Sequence, residues 1–218
     1  MESREPSRAI VVFAHGKAKD AVLRHLPYWA TYSKNIFVVS PADDPLLPCW
    51  IAIGESEHSG RGSILRAKLA LEEALQLPFE EFLFIEYDTL VFGPVPPKAK
   101  GFHSVSFLDP NAREHGFLGN GYCHSPWWVD RETLLALQPF LSLQSLELGY
   151  PDRWMTWVLE RAVEAGVVVF ASIAKAWSSD NLSRFPEEVA EARLARQRGV
   201  YFLHGVKTAE QLAIVMAS

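Results

Sequence analysis

The sequence predicts an α/β fold, a mixed and mostly parallel sheet flanked by helices. Three observations predict it. Short β-branched and aromatic runs at residues 10–13, 36–39 and 82–85 are separated by stretches of helical composition or spacing. The run at 82–85 is apolar without alternation, as in a strand buried on both faces, which a sheet covered by helices requires. A chain of 218 residues with 49% hydrophobic and 22% charged residues is enough for one domain with a sizeable core.

The first strand is read over residues 9–14, a helix over 17–26 and a second strand over 36–39, together a β-α-β unit. Over 63–76, Ile64, Ala67, Leu71 and Leu75 recur at helical spacing, while Arg66, Lys68, Glu72 and Glu73 fall elsewhere. Prolines at 94–97 punctuate the middle of the chain. The second half is less regular, with a strand at 104–108, a turn in FLGNGY and a helix over 131–137. A helix opening at Asp152 follows, with Trp154, Val158 and Ala162 on one face and Gly166 as its left-handed stop. Strands at 167–171 and 201–203 enclose a charged helix over 186–198, and Thr208 with Gln211 forms a capping box for the last helix.

A net charge of -5 and a pI near 5.8 argue against a general role on nucleic acid or anionic membrane. Cys49 and Cys123 are too few for a disulfide framework and lie in no metal spacing, so free thiols and a cytoplasmic location are expected. The apolar run near the N-terminus is too short for a signal sequence or an integral membrane segment.

The most informative stretch is FLFIEYDTLVF, where an apolar strand runs into Glu86 and Asp88. On a strand, residues i and i+2 share a face, so the two acids would point together while Tyr87 points away. They fall at the C-terminal end of the strand, where open α/β sheets bind ligands. Two adjacent carboxylates repel and lose hydration unless a cation satisfies them, and Mn2+ or Mg2+ takes oxygen ligands while keeping positions free for phosphates. The competing reading is a solvated strand end with Asp88 in a turn.

The segment EYDTLVFGPV resembles the metal-binding strand of GT-A glycosyltransferases, especially the D-x-D-T-L-V form of glycogenin-like enzymes. Asp88, Thr89, Leu90 and Val91 match as written, and Glu86 stands where those enzymes have the first Asp. The resemblance implies a Rossmann-like nucleotide-diphospho-sugar transferase fold over residues 1–218. A nucleotide-binding half would cover about 1–100 and an acceptor-binding half about 101–218. It implies that Asp88 and Glu86 hold a metal that bridges the donor diphosphate. Ala14, His15, Gly16, Asp43, Asp44 and Tyr87 would then lie among the donor contacts. YFLHGVKT is similar to the family's H-x-x-G-x-x-K segment with compressed spacing, which makes His204 a third metal ligand and Lys207 a phosphate contact.

Arg61, Arg66 and Lys68 lie near the start of the helix that precedes the metal strand, where anions are attracted, and Arg61 and Lys68 are the favoured pair. Asn120 and Gly121 resemble the N-x-G segment that contacts the donor sugar, and a plain turn is compatible with that role. Asp152 is well suited to an N-cap. By resemblance it also faces the acceptor, either as general base in an inverting enzyme or orienting sugar in a retaining one. Trp127, Trp128, Trp154, Trp157 and Trp177 offer faces for a saccharide acceptor, with Trp154 and Trp157 suited to core packing and Trp177 to a loop over bound donor.

The expected function is metal-dependent transfer from a nucleotide diphospho-sugar, UDP-sugar favoured, to a saccharide or other hydroxyl acceptor. A sugar nucleotidyltransferase normally has a Gly-rich loop after the first strand, which FAHGKAKD lacks. A D-x-D phosphatase needs its nucleophile where this chain has Ala14 and His15. A non-catalytic nucleotide-sugar or saccharide-binding module stays open as the alternative.

Overall fold

The computed structural model describes residues 7–14, 18–41, 49–53, 60–92, 100–108, 121–142, 149–173, 176–178 and 186–217. Strands β1 (Arg8–Phe13), β2 (Ile36–Pro41), β3 (Cys49–Ile53) and β4 (Glu81–Glu86) are parallel, in the spatial order β3-β2-β1-β4. Helix α1 (Lys19–Trp29) links β1 to β2, and α2 (Arg61–Ala74) precedes β4. Beyond β4 the sheet continues through β7 (Gly121–Asp130), β6 (Phe102–Leu108) and β8 (Phe170–Ser172). Strand β7 runs antiparallel to both neighbours, and β8 runs parallel to β6. A smaller sheet joins β5 (Leu90–Val91), β10 (Phe202–His204) and β9 (Ala176–Ser178), in the order β5-β10-β9.

Strand alternation divides the core into two layers. Ala9, Val11, Phe82, Phe84, Trp127 and Val129 face α2, α3 (Arg131–Leu137) and α4 (Pro151–Glu164). Ile10, Val12, Leu83, Ile85 and Trp128 face Val22 and Trp29 of α1. Full burial of each large side chain contributes about 1.5–3 kcal/mol, so both faces of β4 hold the sheet between the helical layers. Leu90, Leu203 and Val206 of the smaller sheet and its following loop pack on α5 (Pro186–Gln197) and α6 (Ala209–Met216) in a third cluster.

Several boundaries differ from the sequence reading for identifiable reasons. Helix α1 continues through Pro27 to Trp29, because the Trp29 ring is buried and its Nε1 donates to the Thr89 carbonyl at 2.7 Å, a tertiary anchor beyond the reach of local propensity. The N-cap position of helix α4 is Tyr150, which has extended backbone and makes no side-chain capping bond, and Asp152 lies inside the first turn. The expected N-cap role of Asp152 is thereby corrected. Trp177, expected in a loop, has its backbone in β9 paired to Leu203. The strand expected at 167–171 is shorter, because Val169 gives its carbonyl to Phe102 N (2.8 Å) before the ladder begins. Gly101 lies against that turn with a φ of 144°, and a Cβ there would come within 2.6 Å of the Val169 carbonyl oxygen. Gly166 has the expected left-handed conformation, with a φ of 71°, and the Thr208–Gln211 capping box is formed. Among the described residues, no helix is long and apolar enough to cross a membrane.

Candidate functional site

Strands β1 and β4 end level, with Phe13 paired to Glu86, so Ala14 and Glu86 emerge at one C-terminal sheet edge. Strand β4 stops at Glu86, and a turn over Tyr87 and Asp88 is closed by Thr89 N donating to the Glu86 carbonyl at 3.0 Å. The two acids therefore do not share a pleat face as their spacing suggests. The turn carries Asp88 instead, and tertiary bonds place that turn.

The Asp88 carbonyl accepts from Gly205 N (3.1 Å) and Val206 N (3.0 Å), which brings the end of β10 over the turn, while Trp29 holds Thr89 from α1. His204 consequently sits between the acids, with Nδ1 3.3 Å from Asp88 Oδ1 and Nε2 3.8 Å from Glu86 Oε2. Thr89 Oγ1 lies 3.0 Å from Nδ1 and fixes the ring. Lys207 Nζ is 3.6 Å from Asp88 Oδ2, and the Lys207 backbone N–H donates to Gln211 Oε1 at 2.7 Å, so the capping box of α6 also anchors this lysine.

The chemistry of this group fits a hard divalent cation. Asp88 is 1% exposed, and its Oδ1 is buried without a hydrogen-bond donor, a costly arrangement for a carboxylate that an ion would relieve. Desolvation raises the Glu86 carboxyl above its ordinary pKa, His204 opposes this, and Asp88 adds to it. Glu86, Asp88 and His204 can each offer one ligand atom within 4.8 Å of the others, a mixed oxygen and nitrogen set suited to Mn2+ or Mg2+.

A second group with the same property shares Glu86 and adds His124 and Asp152. His124 Nδ1 lies 2.7 Å from the Ser125 carbonyl. A carbonyl only accepts, so Nδ1 carries the hydrogen, and the lone pair of the neutral ring is on Nε2, 3.7 Å from Asp152 Oδ2. The His124 ring meets that of His204 edge-on, with centroids 4.8 Å apart. Thr156 joins the two elements that carry this group, since its hydroxyl donates to the Asp152 carbonyl (2.7 Å) and accepts from Cys123 N (2.8 Å). Cys123 itself is a free, buried thiol, and burial pushes its pKa up, which leaves it unreactive.

Glu86, His124 and Asp152 line a cavity of about 250 Å³ at the C-terminal ends of β1 and β4, while Asp88, His204 and Lys207 are not among its lining residues and reach it through the shared Glu86. Ala14, Arg66, Glu86 and Tyr87 line it from the first half of the chain, and His124, Trp127, Tyr150 and Asp152 from the second. Arg66 is buried, donates to the Ala14 carbonyl at 3.4 Å, and has its pKa lowered by desolvation against the opposing pull of Glu86. It is the basic residue of α2 that reaches the cavity. Arg61 is exposed and Lys68 pairs with Glu72 one turn on, and neither lines this cavity. Gly121 opens β7. His15, Gly16, Asp43, Asp44 and Asn120 lie outside the described residues.

Trp127, Trp128 and Trp154 are buried in the core rather than offered to a ligand, although Trp127 also contributes to the cavity wall. His124 and Tyr150 were not singled out from the sequence. For His124 the available signal was a lone imidazole in the otherwise apolar, aromatic stretch that forms β7, and for Tyr150 a tyrosine two residues before the expected Asp152.

No family model matches the chain, and no curated protein matches it in sequence. Solved structures do match in fold. A glycosyltransferase involved in glycosylation of the major capsid of PBCV-1 superposes with a TM-score of 0.51 at 13% identity, covering 94% of this chain and 98% of that one. The glycosyltransferase GlyE of Streptococcus pneumoniae superposes with a TM-score of 0.50 at 9% identity, covering 98% of this chain and 61% of that one. The mixed, mostly parallel sheet with its antiparallel β7 is thus a fold that this chain shares with solved glycosyltransferases, in line with the resemblance of EYDTLVFGPV.

Proposed function

We propose that the chain is a metal-dependent glycosyltransferase that takes a sugar from a nucleotide diphospho-sugar, UDP-sugar favoured, and transfers it to a saccharide or other hydroxyl acceptor. The observation that carries this reading is the convergence of Glu86, Asp88 and His204 around a buried, unsatisfied carboxylate oxygen at the ligand-binding edge of this fold. These three residues would hold Mn2+ or Mg2+, which when bound supplies charge stabilisation to a diphosphate leaving group.

Lys207 stands beside Asp88 as a cation for the diphosphate, and Arg66 presents a second positive charge at the cavity wall. Asp152 lines the cavity beside Glu86 and His124, and the Thr156 hydroxyl donating to the Asp152 carbonyl holds its backbone in place. In an inverting reaction the Asp152 carboxylate takes the proton of the acceptor hydroxyl as that oxygen attacks the anomeric carbon; in a retaining one it orients the sugar. The cavity draws on both the nucleotide-binding half, about residues 1–100, and the acceptor-binding half, about 101–218.

Calorimetry with UDP-glucose, UDP-galactose and GDP-mannose, each with and without Mn2+, tests the reading. We expect binding of at least one donor that strengthens with Mn2+, and slow release of UDP or GDP that EDTA stops. Asp152→Asn should keep donor binding while lowering turnover by about 10²–10⁴-fold. Absence of binding by any nucleotide sugar under either condition would sink the proposal.

A further inference from the structure

Tyr150 does not behave as a residue of the core. It is 55% exposed, yet it lines the cavity and stands two residues before Asp152. Its ring is also held in place. The Arg153 guanidinium lies 5.7 Å from the centroid of the Tyr150 ring and 5.1 Å from that of Tyr122, and Tyr122 is buried in β7. Arg153 is thus shared between a fixed tyrosine and an exposed one, and covers one face of the exposed ring. With Arg153 over one face, the exposed surface of Tyr150 is its other face and edge, at a cavity that Asp152, Glu86 and His124 also line.

We propose that Tyr150 is the stacking platform for a neutral pyranose acceptor, and that Tyr122 and Arg153 are the positioning residues that hold it. The inference rests on the transferase reading above and narrows its acceptor from any hydroxyl compound to a sugar. The C–H face of a pyranose is apolar and matches an aromatic face, while its rim carries hydroxyls. A ring seated on Tyr150 has those hydroxyls next to the Asp152 carboxylate, the group that would take the proton. A preorganised aromatic side chain also binds at low cost in conformational entropy, because its rotamer is already fixed before the ligand arrives. A serine or threonine acceptor in a peptide has no comparable apolar face, so an exposed, clamped ring would gain it little.

The test uses saturation-transfer NMR and titration with the methyl glycosides of glucose, galactose, mannose and N-acetylglucosamine, with Mn2+ and UDP present. The proteins are the wild type, Tyr150→Ala and Tyr150→Phe, each first shown to keep the wild-type melting temperature within a few degrees. At least one glycoside should bind the wild type with saturation transferred chiefly to the protons of one ring face. Tyr150→Ala should weaken that glycoside about fivefold to tenfold, Tyr150→Phe should stay within about twofold, and UDP affinity should be unchanged in both. The proposal is overturned if no glycoside binds, if Tyr150→Ala binds the glycoside as well as the wild type, or if it weakens UDP as much as the sugar, which would put the nucleotide base on this ring. Failure of UDP to bind the wild type is a different result: it overturns the donor reading, while the glycoside titration, run without UDP, still decides the platform.

Discussion

Replacing Asp88 with Asn tests the metal-centred reading with the least disturbance. The substitution keeps the side-chain volume, and the backbone bonds from Gly205 and Val206 to the residue 88 carbonyl are untouched. It removes one negative charge from a group whose Oδ1 is buried without a hydrogen-bond donor. In the metal-free protein two effects oppose each other: an unsatisfied buried carboxylate is relieved, and the contacts to His204 and to the partly exposed Lys207 lose their charge. Both effects act on a buried group and are on the order of 1–3 kcal/mol, so they largely offset, and the metal-free melting temperature should stay within about 4 °C of the wild type. With metal the two proteins should part. A ligand at a hundred times its dissociation constant stabilises the native state by about 2.7 kcal/mol. For a chain of this length each kcal/mol moves the midpoint by about 2–4 °C, so Mn2+ should raise the wild-type midpoint by about 5–10 °C. Asp88→Asn should show a rise of about 1 °C or less. Differential scanning fluorimetry in EDTA and in millimolar MnCl2 reads both quantities. A full shift retained by Asp88→Asn, or no shift in the wild type, refutes the assignment of the ion to this carboxylate.

Two further outcomes follow from titratable groups outside the cavity. His25 is buried against Trp29, and desolvation lowers its pKa to about 4. The unfolded chain therefore binds this proton first; the stability contribution is complete above the ordinary value near 6.5 and declines as pH falls toward 4, by about 3 kcal/mol in all. Urea denaturation at pH 7 and pH 4 should show His25→Phe losing about that much less than the wild type over the interval, and equal losses would remove His25 as the cause. Asp130 caps α3 by accepting from Thr133 N (3.0 Å) and Thr133 Oγ1 (2.7 Å), and also accepts from Gly101 N (2.8 Å). Burial alone would raise its pKa, but these bonds prevail and hold it below the usual carboxylate value, so its contribution is present above about pH 4 and lost as pH falls through the lowered pKa. Asp130→Ala should cost about 2 kcal/mol in the same assay at pH 7, and Asp130→Asn, which keeps an acceptor, about half of that. Equal cost for both variants would show that charge rather than acceptance matters.

The parts of this molecule that the sequence discloses are those whose cause is local. Residues 10–13 and 82–85 announce strands because an unbroken apolar run suits only a position between two helical layers. The capping box at Thr208 and the glycine stop at Gly166 are likewise written within a few residues. Strand β7 is not legible locally, because GYCHSPWWVD places Pro126, which has no N–H to donate, inside a ten-residue strand. The ladder with β6 accommodates it by an irregularity: Ser104 pairs with Trp127 and Val105 with His124, so Ser125 and Pro126 have no partner across that ladder. The same irregularity sits beside His124, and that is where local reasoning ended for the site as well. Glu86 and Asp88 could be read as a pair from spacing, but the reason they converge is not their pleat. It is a turn held from one side by Trp29 and from the other by the residues after β10, more than a hundred positions away. His124 and Asp152 are brought together by the packing of α4 on β7 and by Thr156, which ties the two elements. A short motif can name the residue types that a diphosphate and its ion require; which neighbours complete the cavity is decided by packing between elements, and that is why His124 and Tyr150 emerged only from the folded chain and Arg66 could not be ranked above Arg61 and Lys68 before it.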